Sequence, residues 1–225
     1  MKKNGNIMNL VLKDLKLSLH PVTVIYFVLA PMMLFIPNYP RPIGFIYIIV
    51  AFMMMFAADL QNKDREFTSL LPVKKADCVK ARIITVCAVE LGVIAFSIPF
   101  ALIAQRLFAR SGMRNEGGMN INFTLYAIVL IGYAIANWIV IPGGYRKHFK
   151  VNVRFIIAML VFMISTVALE ELVCRPMDGT LFLNGISSSE LLRQLPVLLG
   201  AIAIYAAINL IACRISIKSY EKAEI

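Results

Sequence analysis

Three glutamates stand inside apolar stretches of the sequence and have the clearest capacity for chemistry: Glu90, Glu170 and Glu171. If those stretches cross a membrane, an ionised carboxylate there costs about 2.5–3.5 kcal/mol unless it is paired or hydrated. Glu90 either lines a translocation path or binds a cationic substrate group, or it is a protonated residue bonded to a neighbouring helix. Glu170 and Glu171 either meet water at the membrane boundary or form the outer gate of a path.

Catalytic chemistry is not indicated elsewhere. The two histidines, His20 and His148, lie in charged segments rather than apolar ones. The sequence lacks a glycine-rich phosphate-binding loop and a nucleophile elbow, and its four cysteines have no metal-ligand spacing. We therefore expect a non-catalytic chain without a cofactor or metal of its own, so that any ATP and magnesium would be bound by another polypeptide. Asn137 and Asn209 are predicted to be interhelical hydrogen-bond partners.

Composition explains why lipid is the expected solvent. The chain has 225 residues, of which 60% are hydrophobic and 16% charged, and its mean hydropathy is +0.76. Soluble domains carry roughly 45–50% apolar and roughly 25% charged residues. The net charge of +10 does not indicate nucleic-acid binding, because the basic residues lie in short loops between apolar runs.

Six apolar segments predict an all-α integral membrane protein that forms one transmembrane domain over residues 1–225. A membrane helix needs about 20 mainly apolar residues. The first two segments are joined by a tight turn at residues 38–41 and form a helical hairpin. The predicted spans are residues 21–37, 42–58, 81–103, 123–141, 155–173 and 195–213.

Basic residues predict the orientation of these spans. The N-terminal segment, the loops after the second and fourth spans and the C-terminal tail hold seventeen of the 23 lysines and arginines. The positive-inside rule places those segments, and therefore both termini, in the cytoplasm. The prediction is a multi-pass protein of a bacterial plasma membrane.

Residues 6–20 predict an amphipathic helix on the membrane surface. Met8, Val11, Leu12, Leu15 and Leu19 share one face, and lysines on another face can meet anionic lipid headgroups. The helix either anchors the first span or also docks a partner.

Residues 60–82 form the longest and most charged of the predicted cytoplasmic loops. Hydrophobic residues there can share one side of a short helix that ends at Pro72. A second helix is predicted to begin near Lys75, with Asp77 in its first turn, and to continue unbroken into the third span. The segment either transmits the movement of a cytoplasmic partner into the membrane, or it is a solvated charged loop that only determines the topology.

The run EFTSLLPVKKADCVKARI resembles the first cytoplasmic loop of compact permeases of the type-2 ABC exporter family. The layout of a surface helix, six spans, small external loops and the tail SIKSYEKAEI is similar over the full length. The resemblance implies a homodimer, or a dimer with a similar permease, bound to two cytoplasmic ABC ATPase subunits. It also implies a coupling helix that docks on the ATPase through Asp64, Arg65, Glu66, Phe67, Leu70 and Leu71.

Compact members of that family export amphipathic peptides such as phenol-soluble modulins, and others act in bacteriocin self-protection. We therefore expect export of amphipathic or hydrophobic cargo, with peptides as the first candidate. The alternative is a membrane immunity or assembly protein that works without an ATPase. An intramembrane enzyme is disfavoured, because the candidate carboxylates lie on different spans at different predicted depths.

Overall fold

A computed structural model describes residues 3–18, 21–37, 39–64, 68, 73–111, 119–145, 151–175 and 181–222. These residues form seven α-helices with short 3-10 or π-helical extensions, and they contain no β-strand. The helices are α1 (Lys3–Lys13), α2 (Val22–Met32), α3 (Ile46–Gln61), α4 (Lys75–Ser111), α5 (Phe123–Gly144), α6 (Val151–Cys174) and α7 (Ser188–Lys222).

Five helical segments in the described residues are long and apolar enough to cross a bilayer. They are α3 with the 3-10 turn before it (Arg41–Gln61), α4, α5, α6 and α7. The sixth predicted span is represented by the shorter apolar segment Val22–Phe35. Its fourteen helical residues reach about 21 Å, which is less than the roughly 30 Å of a bilayer core. An all-helical membrane protein is therefore confirmed, and six full crossings stay a prediction.

The helix that follows the charged loop begins at Lys75, as the sequence predicts. Asp77 lies in its first turn, and the backbone amides of Asp77 and Cys78 donate to the Lys74 carbonyl. The helix then continues without interruption for 37 residues to Ser111. At 1.5 Å per residue it is about 55 Å long, so one element connects the loop with the opposite end of the bundle.

Helix α5 is the centre of the bundle. Of the residues in its apolar stretch, 78% are buried within the chain, whereas the share is 22% for the apolar stretches of α6 and α7. The outer faces of α4, α6 and α7 carry exposed leucine and isoleucine side chains such as Leu102, Ile164 and Leu210. Lipid is the solvent that makes such surfaces stable, because exposed apolar patches of this extent are unfavourable in water.

The bundle has two polar ends. We call the end that contains α1, residues 59–64, 68 and 73–82, and the C-terminal part of α7 the loop end. At the other end, the outer end, short segments are held by side-chain amides. Asn122 caps α5 by accepting from the Leu125 amide, and its Nδ2 donates to the carbonyl of Leu183 at 3.0 Å. Gln194 Oε1 accepts from the Phe123 amide, which joins α7 to the start of α5.

A capping box formed by Ser187 and Glu190 begins α7. Ser187 Oγ accepts from the Glu190 amide, and Glu190 Oε2 accepts from the Ser187 amide at 3.0 Å. This reciprocal pair satisfies two amides that a helix start leaves unpaired.

Helix α1 packs on the bundle through a face that differs from the predicted one. Leu10 and Val11 are buried against Ala81 of α4, while Met8, Leu12 and Leu15 are exposed. The predicted apolar face is therefore divided: Val11 contacts protein, and the three exposed residues are free to enter the acyl boundary.

A glycine in α5 permits close contact with α6. A Cβ on Gly132 would lie 2.7 Å from Phe162 Cε2 and 2.9 Å from Thr166 Cγ2. We expect Gly132→Ala to cost about 1–3 kcal/mol, the usual penalty for overpacking. Thermal unfolding of the purified protein in detergent measures the loss.

Gly200 provides the matched control, because a Cβ there meets nothing within 4 Å. Gly200→Ala should leave stability unchanged or raise it by up to about 1 kcal/mol, since alanine is the better helix former. Equal unfolding midpoints for the two variants would contradict this account of α5–α6 packing.

Candidate functional site

The loop end contains a cluster of charged and polar residues with a buried centre, which we call the Arg82 cluster: Lys13, Asp14, Asp59, Asp64, Thr68 and Arg82. The Arg82 guanidinium binds the Asp14 carboxylate with two nitrogens, Nε at 2.9 Å and Nη2 at 3.3 Å. Its Nη1 donates to Asp59 Oδ2. A planar guanidinium suits this role because it holds two carboxylates with fixed geometry.

All three central side chains of the cluster are buried. Arg82 is 7% exposed, Asp14 4% and Asp59 5%. Burial raises the pKa of the Asp14 carboxyl, and the nearby Arg82 and Lys13 cations only partly offset that shift. The Arg82 guanidinium also lies 5.5 Å from the Phe56 ring centroid, which adds a cation–π contact. Each partner is therefore strongly dependent on the others for neutralisation.

The second part of the cluster joins α1 to the charged loop. Lys13 Nζ lies 2.7 and 2.9 Å from the two Asp64 carboxylate oxygens and donates to Thr68 Oγ1 at 3.2 Å. Lys13 was expected to face lipid headgroups, but it turns toward the protein instead. The cluster thus connects four parts of the chain: α1, the end of α3, the loop and the start of α4.

The end of α7 also reaches this region. Lys75 Nζ donates to the Tyr220 carbonyl at 3.4 Å and lies 5.3 Å from its ring centroid. The Tyr220 ring in turn packs on Tyr145 at the end of α5, with centroids 5.3 Å apart. The first turn of α4 therefore contacts the C-terminal end of α7, which packs in turn on the end of α5.

Deep in the bundle, Glu90 is fully buried in a network with Asn137, Tyr205 and Asn209, which we call the Glu90 network. Glu90 Oε2 accepts from Tyr205 Oη at 2.5 Å and from Asn137 Nδ2 at 3.0 Å. Asn137 Nδ2 also donates to Asn209 Oδ1 at 3.1 Å. The predicted interhelical bonding of Asn137 and Asn209 is confirmed, and the network joins α4, α5 and α7.

At the outer end, the two adjacent glutamates occupy different environments. Glu170 is 5% exposed and its Oε1 accepts from the Met119 amide at 3.3 Å. Glu171 is exposed and lies 3.5 Å from Arg175 Nε on the next helical turn. The water-boundary interpretation therefore fits the position of Glu171, whereas Glu170 is enclosed near the buried Arg41, whose guanidinium packs on the Phe108 ring.

A family comparison adds to this geometry. The model for "ABC-2 family transporter protein" matches residues 9–221, which is nearly the whole chain. The chain belongs to the ABC-2 transporter family. No curated protein matches the sequence, and no solved structure matches it.

Membership makes the chain a multi-pass permease of an ABC transporter, a class of membrane subunit that works with ABC ATPase subunits. In this ABC-2 permease the predicted docking residue Asp64 is part of the Arg82 cluster. The other predicted docking residues, Arg65, Glu66, Phe67, Leu70 and Leu71, lie outside the described residues.

The pairing of the central residues of the Arg82 cluster was not predicted from the sequence of the permease, although the positions of two charges indicated it. Arg82 falls two residues inside the predicted third span, and Asp59 directly follows the second. Charges at such positions need partners. The sequence indicates Arg82 only as one of the basic residues that set the orientation. In the structure it is the counter-ion of Asp14 and Asp59.

Proposed function

We propose that this ABC-2 permease exports hydrophobic or amphipathic peptides across a bacterial plasma membrane, driven by ATP hydrolysis on separate ABC ATPase subunits. It would act as a homodimer or as a dimer with a similar permease. The observation that carries the proposal is the Arg82 cluster, in which ion pairs join Asp64 of the charged loop, α1 and the first turns of α4. The pairs of Arg82 are buried, and the Lys13–Asp64 pair is half-buried.

The mechanism follows from the stiffness of that connection. A partner that moves the loop also moves Asp64, which is bound to Lys13 and thereby to the ionic unit around Arg82. Arg82 lies in the second turn of the 37-residue helix α4. A displacement at the loop end would therefore be transmitted along the single helix α4 at least as far as Pro99, where one backbone hydrogen bond is missing and the helix can bend.

The cargo class rests on the chemistry of the spans. In the described residues the polar groups inside the bundle, such as Glu90, Asn137 and Asn209, bond mainly to one another. They do not line a wide hydrophilic channel. Cargo that is itself apolar or amphipathic would lose little hydration free energy in passing such helices.

The test combines co-purification with ATP hydrolysis in nanodiscs. The wild-type permease should bind its ATPase and change the rate of hydrolysis when amphipathic peptide is added. Phe67→Ala combined with Leu71→Ala should weaken binding and coupling about tenfold or more, because two buried apolar anchors are worth at least about 1.4 kcal/mol at an interface.

Leu60→Ala is the matched control, since Leu60 is an exposed apolar residue of the same region outside the predicted docking set. It should bind and couple normally. Normal coupling in the double variant would refute docking through these residues. Failure of the wild-type chain to bind any ABC ATPase would instead favour a membrane immunity or assembly protein.

A further inference from the structure

The lipid-facing side of the bundle contains an apolar groove between α4 and α7, with Ile7 of α1 at its loop end. Its volume of about 570 Å³ falls within the roughly 300–1,000 Å³ of small-molecule sites. Leu91 and Ile202 belong to its walls, and almost all of its lining is apolar. An alkyl chain or a short hydrophobic peptide segment fits this volume and chemistry.

Apart from Lys80 at the loop end, two polar side chains interrupt the apolar lining, and both belong to the Glu90 network. Tyr205 and Asn209 line the groove from α7. Tyr205 is 5% exposed and its hydroxyl donates to Glu90 Oε2 at 2.5 Å, so its ring lies between the groove and the carboxyl group. A rotation of this one side chain would bring Glu90 into contact with the groove.

Glu90 is incompletely satisfied in this arrangement. Its Oε1 is buried and has no hydrogen-bond partner in the described part of the chain. Both donors to Oε2, Tyr205 and Asn137, are neutral. A buried acceptor left unpaired is unfavourable, and more so if it carries charge. A positively charged donor in the groove would remove that cost.

The cation at the mouth of the groove does not oppose such a ligand strongly. Lys80 lines the loop end of the groove, but it is half exposed and lies 4.0 Å from the Asp77 carboxylate. Ten residues separate it from Glu90 along α4, which corresponds to roughly 15 Å. Repulsion over that distance beside a neutralising aspartate is small.

We propose that the groove between α4 and α7 is a binding site for an amphipathic cation. The apolar body of the ligand lies along the groove, and its amine or guanidinium replaces the Tyr205 hydroxyl as the partner of Glu90. The inference deepens the proposed function, since it gives the amphipathic cargo a positively charged group and a place in the permease.

Photolabelling of the full-length permease in phosphatidylcholine nanodiscs tests the proposal without any ATPase. The probe is dodecylamine with a diazirine at the end of its chain, and the corresponding alcohol is the neutral comparison. The amine should label residues 80–91 and 202–213 about tenfold more than the alcohol, because a charge-assisted hydrogen bond is worth about 1.5–3 kcal/mol.

Variants separate the polar contact from the apolar one. Glu90→Gln should reduce amine labelling to the level of the alcohol, whereas Tyr205→Phe should raise it, because the competing hydroxyl is gone. Ile202→Trp, at a half-exposed position of the wall, should block both probes without touching Glu90. Amine labelling that survives Glu90→Gln, when Ile202→Trp still blocks it, would overturn the polar contact.

Two other results would overturn the proposal. Equal labelling by amine and alcohol would identify a groove for lipid acyl chains only, and labelling confined to other helices would exclude the site. Because the assay contains no ATPase, a failure here leaves ATPase docking untouched. Equally, loss of ATPase binding in the Phe67→Ala, Leu71→Ala variant leaves the groove assay interpretable.

Discussion

Replacing Arg82 with alanine is expected to destabilise the permease by about 3–5 kcal/mol, because it leaves Asp14 and Asp59 buried without their counter-ion. For a chain of this length the unfolding midpoint changes by roughly 2–4 °C per kcal/mol. Thermal unfolding of the purified variant in detergent should therefore show a midpoint about 10 °C lower. Any properly folded fraction should also lose peptide-dependent ATPase coupling, since the ion pairs that join α4 to α1 and α3 are gone.

Two control variants distinguish the loss of the buried ion pairs from the loss of a single exposed charge. Asp14→Asn, Asp59→Asn and Arg82→Gln combined remove all three buried charges together, and should recover much of the loss. Lys80→Ala removes an exposed cation that lies 4.0 Å from the Asp77 carboxylate, and should change stability by at most about 0.5 kcal/mol. A midpoint for Arg82→Ala equal to that of Lys80→Ala would show that the cluster does not hold the loop end together.

An all-or-none difference is expected when the two ends of the bundle are labelled in intact cells. In a background without the four native cysteines, Ser188→Cys should react with a membrane-impermeant maleimide, and Lys74→Cys should not. Both positions are exposed in the structure, so burial does not account for the difference. The reason is the excess of lysine and arginine at the loop end, because short segments rich in these residues remain on the cytoplasmic side of the membrane.

Permeabilised cells supply the control for this experiment, since both cysteines should then react. Labelling of Lys74→Cys in intact cells would place the charged loop outside. That result would remove the basis for ATPase docking, because ATP is hydrolysed in the cytoplasm. It would leave the groove proposal intact, since binding there does not depend on orientation.

Much of the architecture is predictable because it depends on local pattern. The start of α4 at Lys75 follows from the proline and charges before it, and the capping box at Ser187 and Glu190 follows from residue spacing. The apolar spans follow from length and composition alone. In each case the residues that decide the structure are close together in the sequence.

The tertiary pairings could not be predicted in the same way. Arg82 lies 68 residues from Asp14 and 23 from Asp59, and nothing in a single sequence specifies which charges meet. Likewise, Glu90 and Tyr205 are 115 residues apart. The sequence indicates that a carboxylate in a span needs a partner, but the partner is chosen by how the helices pack.

The enclosure of α5 has a consequence for biogenesis. Its neighbours α6 and α7 are synthesised after it, so α5 first enters the bilayer with Asn137 lacking its bond to Asn209. Gln194, which accepts from the start of α5, also arrives only with α7. A nascent chain that stops before α7 therefore keeps the bond of Asn137 to Glu90 but leaves the Phe123 amide without its Gln194 acceptor, and we expect such chains to be recognised and degraded by membrane quality-control proteases.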